Sequence, residues 1–274
     1  MPYPAADKRQ MNRAPPLARM LFRPVNQGPA RETAGGTQRT QGRIELWHAS
    51  LQHTGWWRLL HLLSDEERRR ADAYAFERDA RRFVVSRAVL RNLLTRFTGI
   101  PACECKFRLG QHGKPVLEAD IDQPVHFSLS RSKELVSIGF ALHPLGVDIE
   151  WLGKAIDIDL LIDRVLSRCE QKAFERLDPA DRREAFLQYW TLKEAYLKAL
   201  GAGLSVPPTM VEVWLGSDQP VGLKSFLGDT RAASRWFLDR MVPQEGYIGA
   251  LATQGAQWQT TVRAFDTLSL IVDA

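Results

Sequence analysis

Gly146-Val147-Asp148-Ile149-Glu150 is the stretch around which the 274-residue chain is organised. Val147 and Ile149 alternate with Asp148 and Glu150, which predicts a β-strand with both branched residues on one face and both carboxylates on the other. Neighbouring carboxylates repel, so they call for water, a basic partner or a cation. Further on, Trp190-Thr191-Leu192-Lys193-Glu194-Ala195-Tyr196-Leu197-Lys198 predicts a helix with Trp190, Glu194 and Lys198 at i, i+4 and i+8. Carboxylates from strand and helix can then converge on one hard cation, with lysines beside it for phosphate. The bland reading of Glu194 and Lys198 is an exposed i, i+4 pair worth a few tenths of a kcal/mol. Their apolar and aromatic neighbours point instead to a half-buried stretch.

Composition bounds what such a site belongs to. With 45% hydrophobic and 25% charged residues the chain reads as a soluble globular protein. No apolar run is long enough for a membrane span and the N-terminus lacks a signal's apolar core, so the cytoplasm is the expected compartment. Cys103, Cys105 and Cys169 form no disulfide framework, and Cys103-x-Cys105 near His112 reads as ordinary thiols rather than a metal half-site. The net charge of +5 is concentrated in residues 1–43, where eight basic residues face only Asp7 and Glu32. This segment is rich in Pro, Gly, Gln and Ala, and residues 1–42 are expected to be a disordered basic tail. It has neither aromatic interleaving nor a recognition helix, so nucleic acid is not expected as a partner.

Outward from the central stretch, Ile44 to Ala49 reads as the first strand of the folded body. Ser64-Asp65-Glu66-Glu67 has the form of a capping box and opens a helix through Arg70. A second helix follows Asp79, with Phe83, Leu90, Leu94 and Phe97 as its buried stripe and the arginines, Arg82 among them, on other faces. Phe107 to Leu109 is a short strand, and Gln111-His112-Gly113-Lys114-Pro115 a turn. His126 to Ser132 alternates apolar and small polar residues. Ser128, Ser130, Ser132 and Arg131 can offer donors to a phosphate, although local pattern alone favours ordinary surface. Residues 156–174 read as one or two helices with Leu160, Leu161, Val165, Leu166 and Phe174 in the core. Asp178-Pro179 then starts a long helix that ends at Gly201. Strands are predicted over 210–215, 235–238, 247–252 and 259–265, giving an α+β C-terminal half with an antiparallel sheet.

Four of these segments, in this order, resemble the Sfp-type 4′-phosphopantetheinyl transferases: Gly113-Lys114-Pro115, Phe127-Ser128-Leu129-Ser130-Arg131-Ser132, Gly146 to Glu150, and Trp190 to Lys198 with Gly201-Ala202-Gly203-Leu204. The likeness runs from Arg43 to Phe265. Two positions depart from the usual pattern, with Ser128 in place of asparagine and Arg131 in place of histidine.

The resemblance implies two pseudo-twofold-related α+β halves with antiparallel sheets, 43–145 and 146–274, and a cleft between them for coenzyme A and Mg²⁺. It implies transfer of the 4′-phosphopantetheine arm to a serine of an apo acyl, peptidyl or aryl carrier protein, with release of 3′,5′-ADP. Asp148, Glu150 and Glu194 would hold the metal. Glu194, with Glu150 second, would be the base, and Lys198 would stabilise or protonate the departing phosphate. Arg70, Arg82, Ser130, Arg131 and Lys193 would bind the phosphates of coenzyme A, while Gly113, Lys114 and Pro115 would border its adenine. A monomer is expected by analogy, and the carrier could serve fatty-acid, polyketide, nonribosomal-peptide or lysine biosynthesis. The alternatives are another Mg²⁺-dependent phosphotransferase or phosphohydrolase, or a non-catalytic carrier-binding module.

Overall fold

The structure, a computed structural model, describes residues 42–110, 112–120, 124–216, 220–255 and 258–272. The expected tail, up to residue 41, and Gln111 lie outside the described residues.

The body opens with strand β1, Gly42–Ser50. The capping box forms as predicted: Glu67 N donates to Ser64 Oγ at 3.3 Å, Ser64 N donates to Glu67 Oε2 at 3.1 Å, and the helix Asp65–Asp72 follows. The next helix, Glu77–Thr98, buries Phe83, Leu90 and Leu94 and ends at Gly99 in the left-handed region. Its arginines are not all solvated. Arg91 is 1% exposed, and its Nε donates to Glu67 Oε2 at 2.7 Å.

Strands β2 (Lys106–Leu109) and β3 (Pro115–Glu118) form a hairpin, and β4 (His126–Ser132), β5 (Leu135–Ala141) and β6 (Leu145–Trp151) follow. Residues 156–174 contain two short helices, Ile162–Val165 and Arg168–Phe174. Leu160, expected in the core, is 71% exposed, because it lies in the irregular approach to the first of them. The long helix Pro179–Leu200 has Asp178 as N-cap, Pro179 at its start and Gly201 as C-cap, as read from the sequence. Then come β7 (Val211–Trp214), β8 (Gly222–Phe226), β9 (Trp236–Met241), β10 (Tyr247–Gln254), β11 (Trp258–Ala264) and the turn of helix Ser269–Val272. Strand β8 was not anticipated, since Gly222-Leu223-Lys224-Ser225-Phe226 is short and begins on glycine.

The strands form sheets in the orders β11-β1-β5-β4 and β6-β10-β9, with hairpins β2-β3 and β7-β8. Among the described residues the pairings are antiparallel except one: β11 runs parallel to β1, so residues 258–264, late in the chain, complete the sheet of the first strand. The helix Glu77–Thr98 packs one core and the helix Pro179–Leu200 a second. A third core lies between the sheets, where Val147 and Ile149 meet Ile44, Leu46 and Leu251. Burying each of those two branched side chains contributes about 1.5–3 kcal/mol. It also turns Asp148 and Glu150 toward the long helix, as the alternation predicts. At Gly146 that helix leaves no room for a side chain: a Cβ there would lie 1.8 Å from Ala195 O. Close packing at this glycine brings Glu194 and Lys198 to the strand.

Candidate functional site

Asp148 is 5% exposed and Glu150 9% exposed at the junction of β4, β6 and the long helix. Lys198 Nζ donates to Asp148 Oδ1 at 2.6 Å and to Val147 O at 3.2 Å. Ser130 Oγ donates to the same Oδ1 at 2.8 Å. The other oxygen, Asp148 Oδ2, is buried without a hydrogen-bond partner. Glu150 is held at both ends, by Lys154 Nζ at 2.7 Å on Oε1 and by Ser132 Oγ at 2.7 Å on Oε2. Lys154, exposed and one helical-length step along the chain, was not singled out from the sequence.

The electrostatics bring Glu194 into this group. Burial pushes its carboxyl above the usual range, the negative charge of Asp148 adds to the rise, Lys198 opposes it and Glu150 reinforces it. Asp148 is also raised by burial, opposed by Lys198 and its hydrogen bonds and reinforced by Glu150. The three carboxylates are therefore electrostatically coupled, with Lys198 as the cation on Asp148 and Lys154 as the cation on Glu150.

Among the described residues no three His, Cys, Asp or Glu side chains are gathered tightly enough to clasp a metal ion as they stand. The donor chemistry nevertheless fits a small hard cation: oxygen ligands, mutual repulsion between acids, and an orphaned buried carboxylate oxygen on Asp148. A cation there would replace the Lys198 ammonium as partner to Asp148.

Two cavities are lined by other residues that the sequence singled out. One, of about 300 Å³, is lined by Gly113, Lys114, Pro115, Phe127, Ser128, Arg87 and Lys198. Lys114 Nζ donates to Leu145 O and Lys198 O, both at 2.8 Å. That ammonium ties the β2–β3 turn to the last turn of the long helix. Burial, followed by repulsion from Lys198, lowers its pKa to about 8. The second cavity, of about 230 Å³, is lined by Arg82, Arg131, Lys133, Tyr74, Asp79 and Leu51. Arg70 and Arg131 both lie over the Phe83 ring, at 5.1 and 5.9 Å. Arg82 is tied to Glu134 through Nη2 at 2.5 Å and to Asp79 at 3.3 Å.

Two sequence expectations are corrected. Lys193 is fully buried, with Nζ donating to Glu170 Oε2 at 2.5 Å, Val165 O at 2.6 Å and Pro208 O at 3.1 Å. An ammonium has three protons, so none is left for a pyrophosphate. Ser130 belongs to a buried strand face rather than to a surface loop, and its hydroxyl already serves Asp148 and Ile149 N. Arg131, one residue on, faces the opposite way and is exposed.

Comparison with known proteins gives the family. The 4′-phosphopantetheinyl transferase superfamily profile matches residues 144–252, and the profile of the 4′-phosphopantetheinyl transferase N-terminal domain matches residues 45–141. The chain is 30% identical to 4′-phosphopantetheinyl transferase HetI of Nostoc sp., over 72% of this chain and 81% of that protein. It is 27% identical to 4′-phosphopantetheinyl transferase Sfp of Bacillus subtilis, over 61% of this chain and 73% of that one. Among solved structures, holo-(acyl-carrier-protein) synthase of Thermotoga maritima gives a TM-score of 0.33 at 23% identity, covering 42% of this chain and 64% of that chain. With both halves matched in order and HetI aligned over most of its length, the chain belongs to the 4′-phosphopantetheinyl transferase superfamily and is an enzyme of that kind.

Proposed function

We propose that this transferase takes the 4′-phosphopantetheine arm from coenzyme A, with Mg²⁺, and attaches it to a serine hydroxyl of an apo acyl, peptidyl or aryl carrier protein, releasing 3′,5′-ADP. The observation that carries the proposal is the buried Asp148, with one oxygen unpartnered, coupled to Glu194 and Lys198 beside the cavity bounded by Gly113, Lys114 and Pro115.

Asp148, Glu150 and Glu194 would hold the metal, which when bound neutralises charge on the transferred phosphate and its leaving group. Glu194 is the base of choice. Both oxygens of Glu150 are engaged, by Ser132 and Lys154, which leaves Glu194 the more available of the two. Lys198, displaced from Asp148, would turn its ammonium to the departing phosphate. Arg82, Arg131 and Lys133 line a cavity suited to the phosphates of coenzyme A, with Arg70 over the Phe83 ring that Arg131 also covers, and guanidinium forks match phosphate geometry. The adenine would lie against Gly113, Lys114 and Pro115.

Intact-mass analysis of several apo carriers incubated with the enzyme, coenzyme A and Mg²⁺ tests this reading. The expected result is a gain of one phosphopantetheine arm, lost with a chelator and restored by Mg²⁺. Coenzyme A bound by the enzyme with no transfer to any carrier, or transfer indifferent to the chelator, would overturn it.

A further inference from the structure

Strands β4 and β6 are facing edges of two different sheets. What joins them is a row of serine side chains. Val147 N donates to Ser128 Oγ at 3.0 Å, Ile149 N to Ser130 Oγ at 3.2 Å and Trp151 N to Ser132 Oγ at 2.9 Å. The spacing is the two-residue period of a strand on both sides. All three serines are buried.

A hydroxyl has one proton and two lone pairs. Once an amide N–H occupies a lone pair, the rotor is no longer free to turn its proton anywhere. At Ser130 the proton goes to Asp148 Oδ1, at 2.8 Å, and at Ser132 to Glu150 Oε2, at 2.7 Å. Each serine thus accepts from one β6 amide and donates to the carboxylate of the residue just before it. Ser128 shares the first half of this pattern and lacks the second, because the residue before Val147 is Gly146, where the long helix excludes a side chain.

We propose that Ser130 and Ser132 are positioning residues that fix the carboxylates of Asp148 and Glu150 for a divalent cation, in addition to joining the two sheets. This rests on the metal reading above. A carboxylate aimed by a polarised donor presents its other oxygen in one direction, Oδ2 at Asp148, which is unpartnered, and Oε1 at Glu150, which the exposed Lys154 would yield to a cation; loss of such outer partners commonly weakens metal binding about 10–100-fold. Ser128 provides an internal control, since it makes the same junction without touching an acid.

The test uses Mn²⁺ alone as the probe, titrated into the full chain without coenzyme A and followed by the loss of its free-ion electron paramagnetic resonance signal. Thermal midpoints are measured alongside. Ser130→Ala and Ser132→Ala are expected to weaken Mn²⁺ binding about 10–100-fold, as for other outer-sphere partners. Ser128→Ala is expected to lower the thermal midpoint by a similar amount while its Mn²⁺ affinity stays within about twofold of wild type, and Ser132→Thr, which retains the hydroxyl, is expected to recover the affinity. Equal Mn²⁺ affinity in all three alanine variants, or equal weakening including Ser128→Ala, would reduce the serines to a structural seam and overturn the proposal. Tight Mn²⁺ binding by wild type that is indifferent to Asp148→Asn would instead overturn the metal reading, and this proposal with it.

Discussion

Lys193 Nζ lies 2.5 Å from Glu170 Oε2, and the two side chains are 0% and 5% exposed. Glu170 also accepts from Val213 N at 2.9 Å and from Ser167 N at 2.7 Å, so one buried ion pair ties the long helix to the helix Arg168–Phe174 and to β7. Removing one member leaves the other charged and uncompensated, which costs about 3–5 kcal/mol. Lys193→Met is therefore expected to lose that much in urea unfolding, while the double variant Lys193→Met, Glu170→Gln, which removes the stranded charge and keeps an acceptor for these backbone amides, regains part of it. Equal instability of single and double variants would show that packing, not charge, is what matters here.

Asp148→Asn preserves size and can still accept from Ser130. It removes the charge that couples to Glu194 and Lys198. Turnover is expected to fall at least about 100-fold, the scale seen when one preorganised charge-stabilising group is lost. Circular dichroism of the variant is expected to match wild type, and steady-state transfer rates provide the measurement.

Arg131 is exposed, and its Nη1 donates only to Ser86 Oγ, at 3.3 Å, among the described residues. A charge-assisted hydrogen bond to phosphate contributes about 1.5–3 kcal/mol. Arg131→Ala is expected to raise KM for coenzyme A roughly 10–100-fold with kcat changed little. A fall in kcat at unchanged KM would instead place this arginine in the transition state.

His48, on β1, pairs through Nδ1 with Ser137 Oγ at 2.7 Å, and burial lowers its pKa from 6.5 to about 4. The unfolded chain therefore binds more protons than the folded one between those values. The stability linked to neutral His48 is fully present above pH 6.5 and is lost as the pH falls toward 4. Over that window the loss is about 3 kcal/mol. His48→Gln is expected to flatten this part of the stability profile, read from urea unfolding between pH 7 and 4.5.

Much of this was legible in the sequence because it is local. The alternation at 146–150, the Ser64 cap, the Asp178-Pro179 start and the Gly201 stop each follow from steric or hydrogen-bonding rules acting within a few residues. The misreadings come from partners distant in sequence. Nothing near Lys193 announces Glu170, 23 positions away, or the carbonyls that complete its shell. The serines of β4 read as ordinary surface or as donors to a phosphate, though their i, i+2, i+4 spacing is itself a sign that they share one face of a strand. The burial of Arg91, an arginine off the apolar stripe of its helix, was not legible because Glu67, its partner, lies on another helix. Strand β11 carried a correct β pattern, but a pattern does not say which sheet a strand will join.

That last strand has a consequence for how the molecule is made. A chain ending at residue 252 contains the whole of both matched family segments, yet leaves the β1 edge, from Gly42 to His48, without the neighbour it has in the finished protein. Open edges invite pairing with other chains. The first half to leave the ribosome must therefore wait for the last strand to be synthesised before its sheet is closed, and the two halves, for all their separate cores, come to maturity together.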